Sequence, residues 1–93
     1  MRSQHIWTER DDEGRKREIR VTKFGGEWRF QAKYADELAW TYYERPLPND
    51  LLTLKDILFR KYQRRRASAE DVQAIEKMIR EQVFQGEDGE GDP

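Results

Sequence analysis

The chain contains no cysteine and a single histidine, His5, in 93 residues. Without cysteine there is no disulfide framework, no thiolate metal ligand and no thiol nucleophile. One histidine leaves one place for the commonest general base and imidazole ligand. His5 lies in a stretch read as loose, so an exposed terminal side chain is its expected role. No apolar run approaches the roughly 20 residues needed to span a bilayer. Met1 to Trp7 carries no apolar core of the leader type, and the cytoplasm is the expected compartment.

Motifs for chemistry are equally sparse. Gly25-Gly26 lies between two strand-like segments, not between a strand and a helix, so it reads as a hairpin turn and not a phosphate cradle. Asp11-Asp12-Glu13 lacks the alternate-position ligands and turn glycine of a calcium loop, and reads as a solvated turn. Asp36-Glu37 suits a tight turn, where Asp bonds its own backbone. A chain this short does not readily build a cleft around paired carboxylates. The expectation is a non-enzymatic protein with no cofactor, no bound metal and no small-molecule substrate.

What the chain has in abundance is charge: 40% of residues are charged, and mean hydropathy is −1.15. Such a composition favours disorder unless apolar residues are patterned. Here three Trp, four Tyr and four Phe are present, most of them in patterned segments. The net charge of −1 conceals an asymmetry. From Arg15 to Arg66 there are fourteen Lys/Arg against seven Asp/Glu, while Glu9–Glu13 and Glu81–Asp92 are acidic. Uneven charge of this kind suits a nucleic-acid surface with acidic flanks, and also an ordinary solvated surface.

Lys16–Phe24 and Glu27–Tyr34 alternate as strands around Gly25-Gly26, whose freedom at positive φ suits a two-residue type I′ turn. With that turn, Val21 faces Phe30, Ile19 faces Ala32 and Lys23 faces Trp28. One side of the ribbon then carries Ile19, Val21, Trp28, Phe30, Ala32 and Tyr34. The other carries Glu18, Arg20, Thr22, Arg29, Gln31 and Lys33, with Glu18 opposite Lys33. A slip of one residue would scramble both faces. Ile6 and Trp7 suit a short extra edge strand before the hairpin.

A turn at Ala35–Leu38 leads to a third strand of the meander at 39–44. An odd-length turn would place Trp40 and Tyr42 with Trp28 and Phe30, leaving Tyr43 outward; the parity itself is open. Trp28, Phe30, Tyr34, Trp40 and Tyr42 read as core and not as a ligand box. Arg45-Pro46-Leu47-Pro48 ends the sheet. A helix is expected over 50–65, capped by Asn49 or Asp50, with Leu51, Leu54, Leu58 and Tyr62 in a stripe beside Ile57. Ser68-Ala-Glu-Asp71 resembles a capping box opening a second helix at 69–84, with Val72, Ile75, Ile79 and Val83 on one face. Residues 86–93 read as a disordered acidic tail. The expected fold is α+β, one domain over 1–85: a three-stranded antiparallel meander packed on one face by a C-terminal helical hairpin.

Two basic constellations are candidate binding sites. The first is the polar sheet face, with Arg20, Arg29 and Lys33, joined by Arg15, Lys16 and Arg17 and by two aromatics, Phe24 and Tyr43. The second is Arg60, Lys61, Arg64, Arg65 and Arg66, at the end of the first helix, read as having no carboxylate one turn away to neutralise it. Each has a plainer explanation: a wet sheet face carries such residues anyway, and a helix C-terminus favours cations, which Glu70 and Asp71 could also pair. Basic residues mixed with aromatics favour nucleic acid, through phosphate contact and base stacking. A protein partner or a second copy of the chain, docked on an edge strand, the exposed rings or the arginines, is the alternative. Nothing points to a membrane.

Overall fold

In the computed structural model the backbone of residues 2–91 and the side chains of residues 3–82 are described. The architecture is α+β: four antiparallel strands followed by two helices. The chain, read from sequence as one domain, divides into two compact units at Pro46/Leu47. That boundary falls in the proline-bracketed segment expected to end the sheet.

In the first unit the strands are β1 (Arg2–Arg10), β2 (Lys16–Phe24), β3 (Glu27–Tyr34) and β4 (Thr41–Tyr43), in sheet order β1-β2-β3-β4. The expected β2–β3 register is present throughout, from Arg17 opposite Tyr34 to Phe24 opposite Glu27. Gly25 and Gly26 turn the hairpin with φ of +60° and +80°, which a residue with a Cβ adopts only at a cost. Two expectations are corrected. The N-terminal stretch is a full nine-residue strand, and β4 spans three residues, not six.

Residues directly opposite in an antiparallel pair share a face. One row across all four strands therefore reads His5, Val21, Phe30, Tyr43. The row beside it, on the opposite face, reads Ile6, Arg20, Gln31, Tyr42. The first face holds the buried Ile19, Val21, Phe30 and Ala32. His5 is not a loose terminal group: it is buried on this face, with its ring stacked 6.3 Å from that of Trp28.

The β1–β2 connection is built on Asp11. Its carboxylate accepts the backbone N–H groups of Glu13 and Arg15, each at 2.9 Å, and its own N–H donates to the Arg15 carbonyl. Asp11 is thus the organiser of the turn and not merely a solvated charge. The Arg15 N–H holds its carboxyl below the usual carboxylate range, assisted by the Glu13 N–H and the Tyr34 hydroxyl and opposed by desolvation.

The second unit is a helical hairpin, α1 (Pro48–Gln63) and α2 (Ala69–Gly91). Helix α1 begins two residues before the expected start. Leu47 occupies the cap position without a side-chain bond, and Pro48 opens the first turn, where its missing N–H costs nothing. Asp50, expected as a cap, lies inside the first turn and is buried. Leu51, Leu54 and Leu58 of α1 and Val72 and Ile75 of α2 are buried, and Lys55 reaches Glu76 of α2 at 3.5 Å. Tyr62 leaves the expected stripe: it is exposed and lies against Phe59, ring centroids 6.5 Å apart. Ser68 caps α2, its Oγ accepting the Asp71 N–H at 3.1 Å. The helix continues through residues 86–91, read from sequence as tail, while the last two tail positions, like the side chain of Val83, lie outside the described residues.

Candidate nucleic-acid interface

The basic sheet face is assembled by the register of the four strands. Arg20 stands between Ile6 and Gln31, Arg29 opposite Thr22, and Lys33 opposite Glu18. The β3–β4 register then settles which aromatics join them. Phe30 pairs with Tyr43 and Gln31 with Tyr42. Tyr43, expected among the cations, therefore lies on the opposite face with Phe30, where the Arg17 guanidinium approaches its ring at 5.6 Å. Tyr42 and Trp40, expected in the core, belong to the basic face. The reason is the span from Tyr34 to Thr41, whose parity sequence leaves open and which is even here.

Trp40 is the centre of this face. The Arg20 Cζ lies 4.3 Å from the centre of its ring and the Lys33 Nζ 5.9 Å. Contacts of this kind contribute about 0.5–1 kcal/mol each in exposed settings, and more when desolvated. Arg20 is held by the indole and has no carboxylate partner among the described residues, and its Nε is buried without an acceptor. Its charge is therefore uncompensated. Lys33 donates to the Glu37 carbonyl at 3.0 Å, a bond that leaves its charge in place. Arg29 is partly offset by Glu27, at 3.4 Å between two exposed side chains. Tyr42 and Phe24 are each about two-thirds exposed, and Ile6 half exposed. Thr22, Phe24, Glu27 and Arg29 line a shallow depression at the hairpin end of the face.

Arg15 and Arg17 are not part of it. Arg17 lies on the buried face and pairs with Glu9 at 3.2 Å. Arg15 leans over the Tyr34 ring, 3.9 Å from its centroid, and meets Asp36 at 3.6 Å.

In the second unit, the α1 C-terminus gathers its cations by reversing the backbone. Arg65 takes φ +62°, its N–H donates to the Tyr62 carbonyl, and the Arg66 N–H donates to the Lys61 carbonyl. This pair of bonds is a Schellman closure, with Arg65 where glycine is usual. The turn brings Arg66 back to line one concavity with Ile57, Arg60, Lys61 and Arg64. Arg60 is not un-neutralised: Asp56, one turn earlier, forms an ion pair with it. The i,i+4 spacing of Asp56 and Arg60 is the signal that identifies this pair. Arg64 and Arg66 are exposed and have no carboxylate partner among the described residues.

No cluster of three or more His, Asp or Glu side chains among the described residues is placed to hold a metal ion. Among the same residues, no helix is long and apolar enough to cross a membrane. Comparisons with protein-family models, curated proteins and solved structures find no match.

Proposed function

We propose that the chain is a non-enzymatic, cytoplasmic nucleic-acid-binding module. It binds through the basic face of its sheet, and the arginine-rich end of α1 supplies further phosphate contacts. The observation that carries this reading is the Arg20–Trp40 contact, which sets an uncompensated guanidinium against an indole on an open face beside Tyr42. Cations that reach phosphate and rings that stack on bases are the two requirements of such a surface. Fluorescence anisotropy with labelled DNA and RNA oligonucleotides, at about 50 and about 200 mM salt, tests it. Binding should weaken steeply with salt and be lost in Arg29→Glu/Lys33→Glu, with circular dichroism unchanged. Absence of binding at the lower salt would overturn the reading.

A second reading draws on β1. This nine-residue strand is at the edge of the sheet, with Ile6 half exposed and no further strand on its outer side among the described residues. An open edge of that length is a template for strand addition by a partner or a second copy. Sedimentation at several concentrations would reveal self-association as a mass that rises with loading.

A further inference from the structure

Trp40 and Tyr42 are two residues apart in the chain and occupy the same face as Arg20, Lys33 and Arg29. Trp40 immediately precedes β4 and Tyr42 lies within it; alternate residues of extended chain are separated by about 6.6 Å. Bases in one strand of a duplex rise by about 3.4 Å, and each has its faces covered by its neighbours. A duplex could offer this surface its phosphates and its groove edges, but no ring faces. An unpaired strand offers both phosphates and faces, and its bases can separate to match the wider spacing.

We propose that the basic sheet face takes single-stranded nucleic acid, with Trp40 and Tyr42 as stacking platforms for two neighbouring unpaired bases. Arg20, Arg29 and Lys33 contact the phosphates between and beside them. The inference rests on the reading above and narrows it to one class of ligand. Arg20 contributes twice, because a guanidinium over an indole can both meet phosphate and offer a flat group to a base. Tyr42 is free to act as the second platform, since its side chain is mostly exposed and no ring pairs with it among the described residues. Recognition of this kind tolerates many sequences, because every base has a π-face. Ribose and deoxyribose strands share the chemistry, so the test carries both.

The full chain is titrated against labelled oligo(U) and oligo(dT) of about twelve nucleotides, within the usual footprint of such surfaces, and against a duplex of equal length. Either single strand should bind on the order of tenfold or more tightly than the duplex. Trp40→Leu and Tyr42→Leu should each weaken single-strand binding by roughly tenfold, with Trp40→Phe restoring part of the loss. Duplex binding should fall less than single-strand binding in both variants. Tyr42→Leu keeps the test decisive if Trp40→Leu disturbs folding, since Tyr42 is an exposed side chain. A duplex bound as tightly as the single strands would overturn this inference alone, as would single-strand binding indifferent to both leucine variants. Failure of every oligonucleotide to bind at low salt would overturn the reading beneath it.

Discussion

The backbone N–H of Arg66 meets the carbonyl of Lys61 at 2.6 Å, closing the end of α1 around an arginine, Arg65, held at φ +62°. The left-handed conformation costs a residue with a Cβ about 1–2 kcal/mol, and glycine avoids most of this. Part of that gain is offset by the greater freedom of glycine in the unfolded chain. Arg65→Gly should therefore raise stability by about 1 kcal/mol, read as a higher denaturation midpoint at unchanged slope. Arginine where glycine fits better is strain at a surface rich in cations, and strain of this kind concentrates at functional sites. The same variant should bind oligonucleotides no more tightly than the parent.

Opposite placement of two neighbouring tyrosines makes the sheet's parity testable. Phe30 is 2% exposed and pairs with Tyr43, whereas Tyr42 lies on the other face. Phe30→Ala should cost about 3–5 kcal/mol, as large-to-small changes at buried aromatic sites do. Tyr43→Ala should be measurably destabilising, and Tyr42→Ala should fall within about 0.5 kcal/mol of the parent. The reverse order for the two tyrosines in urea melts would reverse the faces assigned to β4.

The legibility of each element follows from how tightly local chemistry constrains it. The β2–β3 register could be read residue by residue, because a Gly-Gly turn has a known length and a strand a period of two. The span between Tyr34 and Thr41 contains no such fixed turn, so sequence leaves the face of β4 open, and the structure puts Tyr42 and Trp40, not Tyr43, on the basic face. In β1, Ile6 and Trp7 are adjacent and point to opposite faces, which erases the alternation that marks a strand and hid the place of His5. Asn49 and Asp50 are good caps, while Pro48 fits the first turn equally well, so sequence places the α1 start two residues late. The arginine cluster was visible as composition, but its concavity comes from the left-handed Arg65, which sequence does not advertise. Asp56 was legible by spacing alone.

Acid should loosen the β1–β2 connection once pH falls below the ordinary carboxylate range. The Arg15 N–H is the foremost of the bonds that hold the Asp11 carboxyl below its ordinary range. A depressed value in the fold means that ionised Asp11 favours the folded turn. The contribution is complete above the ordinary carboxylate range and is lost as pH falls through the lowered value. Amide exchange or NMR shifts of Glu13 and Arg15 should report the turn opening as pH falls through that range. Asp11→Asn keeps an acceptor for both N–H groups but cannot titrate, so its turn should lose this pH dependence. An unchanged acid response in Asp11→Asn would assign the effect to another carboxylate.

The cations at the end of α1 should not be equivalent in binding. Arg60 already has Asp56 beside it, whereas Arg64 and Arg66 line the same concavity without such a neighbour among the described residues. Each phosphate contact to a single strand contributes about 0.7 to the slope of log affinity against log salt. Arg64→Ala/Arg66→Ala should therefore flatten that slope by about 1.4 if both side chains reach phosphate. Arg60→Ala should change it less than that double variant, because Asp56 already offsets the Arg60 charge. Removing Arg60 leaves Asp56 without this partner, so Asp56→Asn/Arg60→Ala should bind more tightly than Arg60→Ala, most visibly at low salt. Equal slopes for the parent and Arg64→Ala/Arg66→Ala would confine phosphate contact to the sheet, leaving the arginine-rich helix end as a solvated terminus.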